Sequence, residues 1–133
     1  MAEFTTTKDF FATNGELVPG APTAITATTT SAAVYVGDRD DLSIHVSCAG
    51  HTAGNGVFTV LVSNDGLNFP TYQRLTTDAS VIAGSTPALV NSVTLNANGS
   101  DLIFFPNGDH FAWIKVKCTV TTDGSYTAVL HAA

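Results

Sequence analysis

Alternation of apolar and polar residues is the strongest pattern in this chain, and it predicts β-strands. In residues 42–48 and 111–120 every second side chain is apolar. Successive side chains of a strand point to opposite faces, so a period of two describes strands with one buried and one solvent-facing side. Residues 125–131 repeat the pattern directly after the turn pair Asp123-Gly124.

Turn residues divide the rest of the chain into further short strands. Asn55-Gly56 and Asn64-Asp65-Gly66 flank an apolar run, and Asn and Gly tolerate the positive φ angles of hairpin turns. Pro70 has no backbone N–H, which places its segment at a sheet edge or a strand start. The predicted strands are 23–36 (one long strand, two strands, or one broken by a bulge), 42–48, 57–62, 67–75, 88–95, 102–105, 111–120 and 125–131. About eight strands with such spacing predict an all-β fold, either an antiparallel β-sandwich or a jelly-roll-like barrel.

The first part of the chain differs from the rest. Residues 1–22 keep no period of two or 3.6, and we predict an extended N-terminal arm there, followed by a single β-sandwich domain over residues 23–133. The arm carries Phe4, Phe10 and Phe11. Their rings need burial, either on the chain's own domain or on a neighbouring subunit, and both alternatives stay open. These three residues are the candidate partner interface.

Composition supports the β assignment and narrows the function. The chain has 20 Thr, 9 Ser and 8 Asn, but only nine residues in all of Glu, Lys, Arg, Gln and Met, the side chains that favour helix surfaces. Hydrophobic residues make up 44% of the 133 residues, enough to build a core. A mainly helical or a disordered protein is therefore not expected.

Charge and hydropathy argue against two classes of partner. Five basic residues against eleven acidic ones give a net charge of −6, and the basic residues form no run. Nucleic-acid binding requires several Lys or Arg contacts to phosphates, so we expect no nucleic-acid partner. The sequence also has no apolar stretch long enough to span a bilayer and no secretory signal pattern at its start, so we expect no membrane partner.

The sequence offers no arrangement typical of a catalytic centre. It contains no nucleophile-elbow, zinc-protease or phosphate-loop motif, so we expect neither an enzyme nor a cofactor. Asp38, Asp40 and Asp41 are a weak Ca²⁺ candidate, because hard cations bind clustered carboxylates. Their spacing matches no EF-hand and Arg39 lies among them, which favours a solvated turn.

The two cysteines, Cys48 and Cys118, each fall on the apolar side of an alternating segment. They are either two buried, small hydrophobic residues or a disulfide that joins the two sheets. The sequence leaves both alternatives open.

Three segments together resemble small β-sandwich virion proteins of tailed bacteriophages: 60–69 (VLVSNDGLNF), 111–117 (FAWIKVK) and 121–130 (TTDGSYTAVL). The resemblance implies a structural role, most specifically as a capsid decoration (cement) protein, with a tail or neck component as another possibility. It also implies synthesis in the host cytoplasm, a place on the virion, a homo-oligomer, and the major capsid protein or other virion proteins as partners. The alternative is a carbohydrate-binding or adhesive module, for which Tyr72, Trp113 and Tyr126 are the candidate aromatic platforms. In a sandwich of this size, however, the single tryptophan is more often a core residue.

Overall fold

Two antiparallel β-sheets pack against each other and enclose one hydrophobic core. A computed structural model describes residues 6–12, 22–39, 41–72, 74–75, 89–90, 92–105 and 111–133. The strands in chain order are β1 (Thr6–Asp9), β2 (Thr29–Thr30), β3 (Val34–Tyr35), β4 (Leu42–Ala49), β5 (Gly56–Ser63), β6 (Arg74–Leu75), β7 (Leu89–Val90), β8 (Ser92–Leu95), β9 (Gly99–Phe104), β10 (Trp113–Val120) and β11 (Ser125–Ala132). The predicted all-β sandwich is confirmed.

The topology interleaves distant parts of the chain. The first sheet has the strand order β1-β11-β4-β9, and the second has β2-β10-β5-β8, with β3 also paired to β10. The short strands β6 and β7 pair only with each other among the described strands. The long central strands are thus β4 and β11 in one sheet and β5 and β10 in the other.

The core contains the residues that the alternation assigns to the inner faces. Alternate residues of β4, β10 and β11 are buried along most of each strand. The completely buried members of the core are Ile44, Val46, Phe58, Ile114, Val116, Cys118, Tyr126, Ala128 and Leu130. The predicted faces of these three strands are therefore correct.

The segment 23–36 contains two short strands, with Ser31 between them. The Ser31 backbone N–H donates to the carbonyl of Val116 (2.8 Å), and the Ser31 hydroxyl accepts from the Val116 N–H (2.9 Å). The Ser31 hydroxyl thus accepts the hydrogen bond that a backbone carbonyl would accept in a regular ladder with β10, and the regular strand is interrupted there.

Two other strand predictions need correction. Within its described residues, segment 67–75 contains only β6 and an isolated bridge between Thr71 and Leu61. Pro70 contributes its carbonyl, which accepts from Val62 N–H, but it has no N–H of its own to extend the ladder. In contrast, β9 begins at Gly99, three residues before the predicted strand 102–105, because β4 provides a long partner strand.

The predicted arm enters the first sheet. β1 pairs antiparallel with β11, from Thr6 opposite Ala132 to Asp9 opposite Val129. Phe10 follows directly and is buried in the core at 3% exposure. A strand of four residues is too short to show a period of two, which is why the sequence pattern does not reveal it.

A buried carboxylate fixes the end of β1. Asp9 is fully buried, and its two oxygens accept hydrogen bonds from the backbone N–H groups of Phe11 (3.2 Å) and Thr23 (2.6 Å). These bonds join the two ends of the segment 9–23, so Asp9 holds the beginning of the chain against the domain.

Candidate functional site

The outer face of the second sheet combines aromatic rings with lysines. Because Ile114, Val116 and Cys118 point into the core, the alternate residues of β10 point outward. We call this surface the lysine–aromatic face and define it by Tyr35, Phe69, Trp113, Lys115 and Lys117.

Trp113 is held between two neighbours on this face. Tyr35 lies opposite it in the β3–β10 register, and the two rings meet edge to face with centroids 5.1 Å apart. On the turn after β5, a Cβ added to Gly66 would stand 3.2 Å from Trp113 Nε1, and Gly66 has a φ of +75°. Only glycine fits both that conformation and that approach without strain. The indole is half-buried, whereas Tyr35 remains 55% exposed.

The turn that contacts Trp113 is organised by Asp65. Its carboxylate accepts hydrogen bonds from the backbone N–H groups of Asn68 and Leu67, from the Asn68 side-chain amide and from the Ser63 hydroxyl. These bonds, the backbone ones first, hold the pKa of Asp65 well below its usual range. The Asp65 carboxylate is therefore already hydrogen-bonded within its own turn.

The two lysines occupy the middle of the face. Lys115 Nζ lies 4.1 Å from the centroid of the Phe69 ring, a cation–π contact. Lys117 is exposed and stands between Thr30 and Thr59 in the strand register. Among the residues with described side chains, the outward positions of β2, β3, β5, β8 and β10 include no carboxylate.

The outer face of the first sheet has a different character. Its outward side chains on β4, β9 and β11 are Ser, Thr, Ala, Val, Leu, Phe and His, all uncharged when His is neutral. We call it the neutral face, and its main members are Ser43, His45, Ser47, Leu102, Phe104, Thr127 and His131. Leu102 and Phe104 are 42% and 61% exposed. A shallow groove of about 380 Å³ opens beside them and is also lined by Leu42, Asp41 and His131.

The predicted interface phenylalanines are placed differently from one another. Phe10 lies in the chain's own core, and Phe11 is half-buried against it. Phe4 lies outside the described residues. The ring of Phe10 is thus unavailable to a neighbouring subunit in this structure.

The predicted Ca²⁺ candidate does not form a cluster among the described residues. Asp38 is exposed and pairs with Arg39 (3.6 Å), while Asp41 exchanges backbone hydrogen bonds with Ala133. Asp40 lies outside the described residues. In the part of the chain that is described, no three His, Cys, Asp or Glu side chains are placed to hold a metal ion.

Cys48 and Cys118 are both free and buried. Burial, and secondarily the charge of a Cys48 thiolate, raise the pKa of Cys118 to about 12. Both thiols serve as small hydrophobic core residues in this structure.

Of the three aromatic platform candidates, only Trp113 lies on an outer face. Tyr126 is completely buried, and Tyr72 packs against Phe105 and Phe111. Sequence reasoning missed Tyr35 and Phe69 and favoured a core position for Trp113, whereas the structure places its half-buried ring on the outer side of β10. No helix in the described part of the chain is long and apolar enough to cross a membrane.

The fold has a counterpart among solved structures. The chain matches the crystal structure of the SPBc2 prophage-derived protein YomS with a TM-score of 0.56 and 13% sequence identity. The match covers 98% of this chain and 94% of that chain. No family model and no curated protein sequence matches the chain. The comparison therefore establishes a shared fold.

Proposed function

We propose that this chain, which shares the fold of a prophage-derived protein, is a structural protein of a bacteriophage particle. Its most specific role would be that of a capsid decoration protein, which binds the assembled shell from outside and stabilises it. The shared fold and the resemblance of segments 60–69, 111–117 and 121–130 to small virion proteins support this proposal. The major capsid protein is the proposed partner, and the role requires no catalysis and no cofactor.

The neutral face is the single observation that carries the proposal. Charged side chains are depleted in the cores of protein interfaces, because each buried charge must be paired or lose its solvation. Contact through the outward positions of β4, β9 and β11 buries no charged side chain, although the net charge of the whole chain is −6. Leu102 and Phe104 add exposed apolar area beside the groove. Such a face is suited to wide contact with a protein surface.

The proposal includes a homo-oligomer and a place on the virion, after synthesis in the host cytoplasm. A shell presents the same site many times around its symmetry axes, so bound copies of one chain would be related by that symmetry.

Reconstitution on particles tests this proposal. Particles of the phage that encodes the chain are prepared with and without its gene, separated into heads and tails, and mixed with purified protein. We expect the protein to co-sediment with gene-deleted heads and to raise their resistance to heat. His45→Glu, which puts a charge at an exposed neutral-face position, should weaken binding by about tenfold or more. The matched control Thr94→Glu, on the outer face of β8, should bind normally.

Two results would contradict the proposal. Protein that neither occurs in purified particles nor binds gene-deleted ones is not a virion component. Protein that binds tails and not heads belongs to the particle but is not a capsid decoration protein.

A further inference from the structure

We propose that the lysine–aromatic face binds a polysaccharide that carries carboxylate groups. This binding is separate from shell attachment, because the two outer faces lie on opposite sides of the sandwich. Loss of shell attachment would therefore not imply loss of polysaccharide binding, and loss of polysaccharide binding would not imply loss of shell attachment.

The aromatic part of the face is suited to sugar rings. A pyranose ring presents one or both of its sides as a sheet of C–H bonds, which pack on the π-face or edge of an aromatic ring. Trp113 and Tyr35 provide two adjacent rings at a large angle to each other, and Tyr35 is 55% exposed. Gly66 and the Asp65 turn fix the indole in advance, so little ordering is required when a ligand binds.

The lysines indicate that the ligand is anionic. Lys115 and Lys117 are two residues apart on one strand and one face, so their Cα atoms are about 7 Å apart. The outward strand positions around them provide threonine hydroxyls and, within the described residues, no carboxylate. The Asp65 carboxylate at the aromatic end is occupied by four donors from its own turn. A face with two cations in a chain of charge −6 is complementary to ligand carboxylates.

Other polyanions fit this face less well. A single-stranded nucleic acid carries a charge on every nucleotide, and its affinity depends on several phosphate contacts, whereas this face offers two lysines in a strongly acidic chain. Lysine is depleted in the cores of protein interfaces, so the two lysines in the middle of this face disfavour a protein partner. Carboxylated sugars combine anionic groups with apolar ring faces, which corresponds to the lysines and aromatic rings present on this face.

Trp113 is the only tryptophan in the chain, so its fluorescence reports directly on this face. The protein is titrated with oligogalacturonate and, as a matched ligand, with its fully methyl-esterified form, which keeps the sugar rings and removes the charge. We expect a saturable fluorescence change with the acid, binding weaker by about tenfold with the ester, and a loss of affinity as salt is raised. Oligothymidylate and polyglutamate serve as the nucleic-acid and acidic-peptide comparisons and should bind at least about tenfold more weakly than the acid.

Variants locate the site. Tyr35→Ala should lower the affinity by about tenfold, a typical effect of losing one stacked ring. The control Phe104→Ala, an exposed aromatic residue of the other sheet, should not change it. Lys117→Gln should lower the affinity severalfold, whereas Lys8→Gln, with the same change in net charge, should not. Each variant's fold is checked by circular dichroism.

Three outcomes would overturn the proposal. The first is no saturable fluorescence change with oligogalacturonate. The second is equal affinity for the acid and its ester, which would remove the role of the lysines. The third is tighter binding of oligothymidylate or polyglutamate than of the acid, which would assign the face to a nucleic acid or an acidic protein segment instead.

Discussion

The ring of Tyr126 lies directly against the backbone of Gly56, and a Cβ added at Gly56 would stand 2.2 Å from Tyr126 Cε1. Gly56 begins β5 in the second sheet, and Tyr126 lies on β11 in the first, so this contact joins the sheets. The Tyr126 hydroxyl donates to the carbonyl of Asp123 (2.9 Å), and its ring meets Phe58 edge to face. Glycine is therefore required at position 56 because any side chain would collide with the Tyr126 ring. A turn conformation is not the reason.

Gly56→Ala should destabilise the protein. The added methyl group meets the buried Tyr126 ring, and such overpacking typically lowers the free energy of unfolding by about 1–3 kcal/mol. Urea unfolding of the wild type, Gly56→Ala, Tyr126→Leu and the double variant measures the coupling. The alanine should cost less in the Tyr126→Leu background, where the ring is absent. An equal cost in both backgrounds would show that the contact does not limit this position.

Phe10→Ala should destabilise the fold as a core substitution. Phe10 is 3% exposed, and removing a buried phenylalanine ring typically costs about 3–5 kcal/mol. The neighbouring Phe11→Ala is the matched control and should cost less, because Phe11 is only half-buried. Thermal and urea unfolding of the two variants compare them. Wild-type stability of Phe10→Ala would mean that this ring does not belong to the core.

Asp9→Ala should also destabilise the fold, because it removes hydrogen bonds. The change removes the acceptor of the backbone N–H groups of Phe11 and Thr23, and each lost hydrogen bond typically costs about 0.5–1.5 kcal/mol. Asp38→Ala, at an exposed turn position, should change the free energy of unfolding much less. Hydrogen exchange should show faster exchange at Thr23 in Asp9→Ala. Unchanged exchange there would contradict the assigned bond.

Acid should weaken the fold partly through Asp123. Hydrogen bonds from the Thr52 hydroxyl and from the Thr52 and Ala53 backbone N–H groups lower the pKa of Asp123 from 3.8 to about 2. A carboxylate whose pKa is lower in the folded state stabilises the fold above the unfolded pKa and loses this effect as the pH falls from about 4 to about 2. Asp123→Asn should therefore show a shallower loss of stability over that range.

A variant that removes only the Thr52 hydroxyl should have an intermediate effect on the pH dependence of stability. Thr52→Val keeps the Asp123 carboxylate but removes one donor, so its pH slope should lie between those of the wild type and Asp123→Asn. Unfolding midpoints in urea from pH 2 to pH 6 measure the slope. Identical slopes for all three proteins would refute the linkage to Asp123.

Both cysteines should resist alkylation in the native protein. Burial excludes the reagent, and a pKa of about 12 leaves almost no Cys118 thiolate at neutral pH. Iodoacetamide should therefore add no mass to the folded protein and two adducts to protein unfolded in urea without a reductant. Failure to label the unfolded protein would indicate a disulfide.

The sequence pattern was sufficient wherever a strand is long and has one exposed face. Strands β4, β10 and β11 each keep a period of two over most of their eight residues, so both their positions and their inner faces could be predicted. The pattern was insufficient for β1, which has four residues, and for the break at Ser31, which depends on a bond to Val116 at a distance of 85 residues in sequence.

The candidate surfaces, too, could be predicted only in part from the sequence. Alternation along β10 already placed Trp113, Lys115 and Lys117 on one side, since side-chain direction in a strand is a local property. Only the tertiary structure added Tyr35 and Phe69 to them and assembled the neutral face from three strands.

By itself, the sequence determined the all-β class, the core-facing residues of the long strands and a surface with few charges, because these depend on local periodicity and composition. The tertiary structure alone decided that the N-terminal segment enters the first sheet, that Asp9 is buried, and that Tyr126 lies against Gly56. Each of these depends on pairing between residues far apart in the chain, for which a single sequence carries no periodic signal.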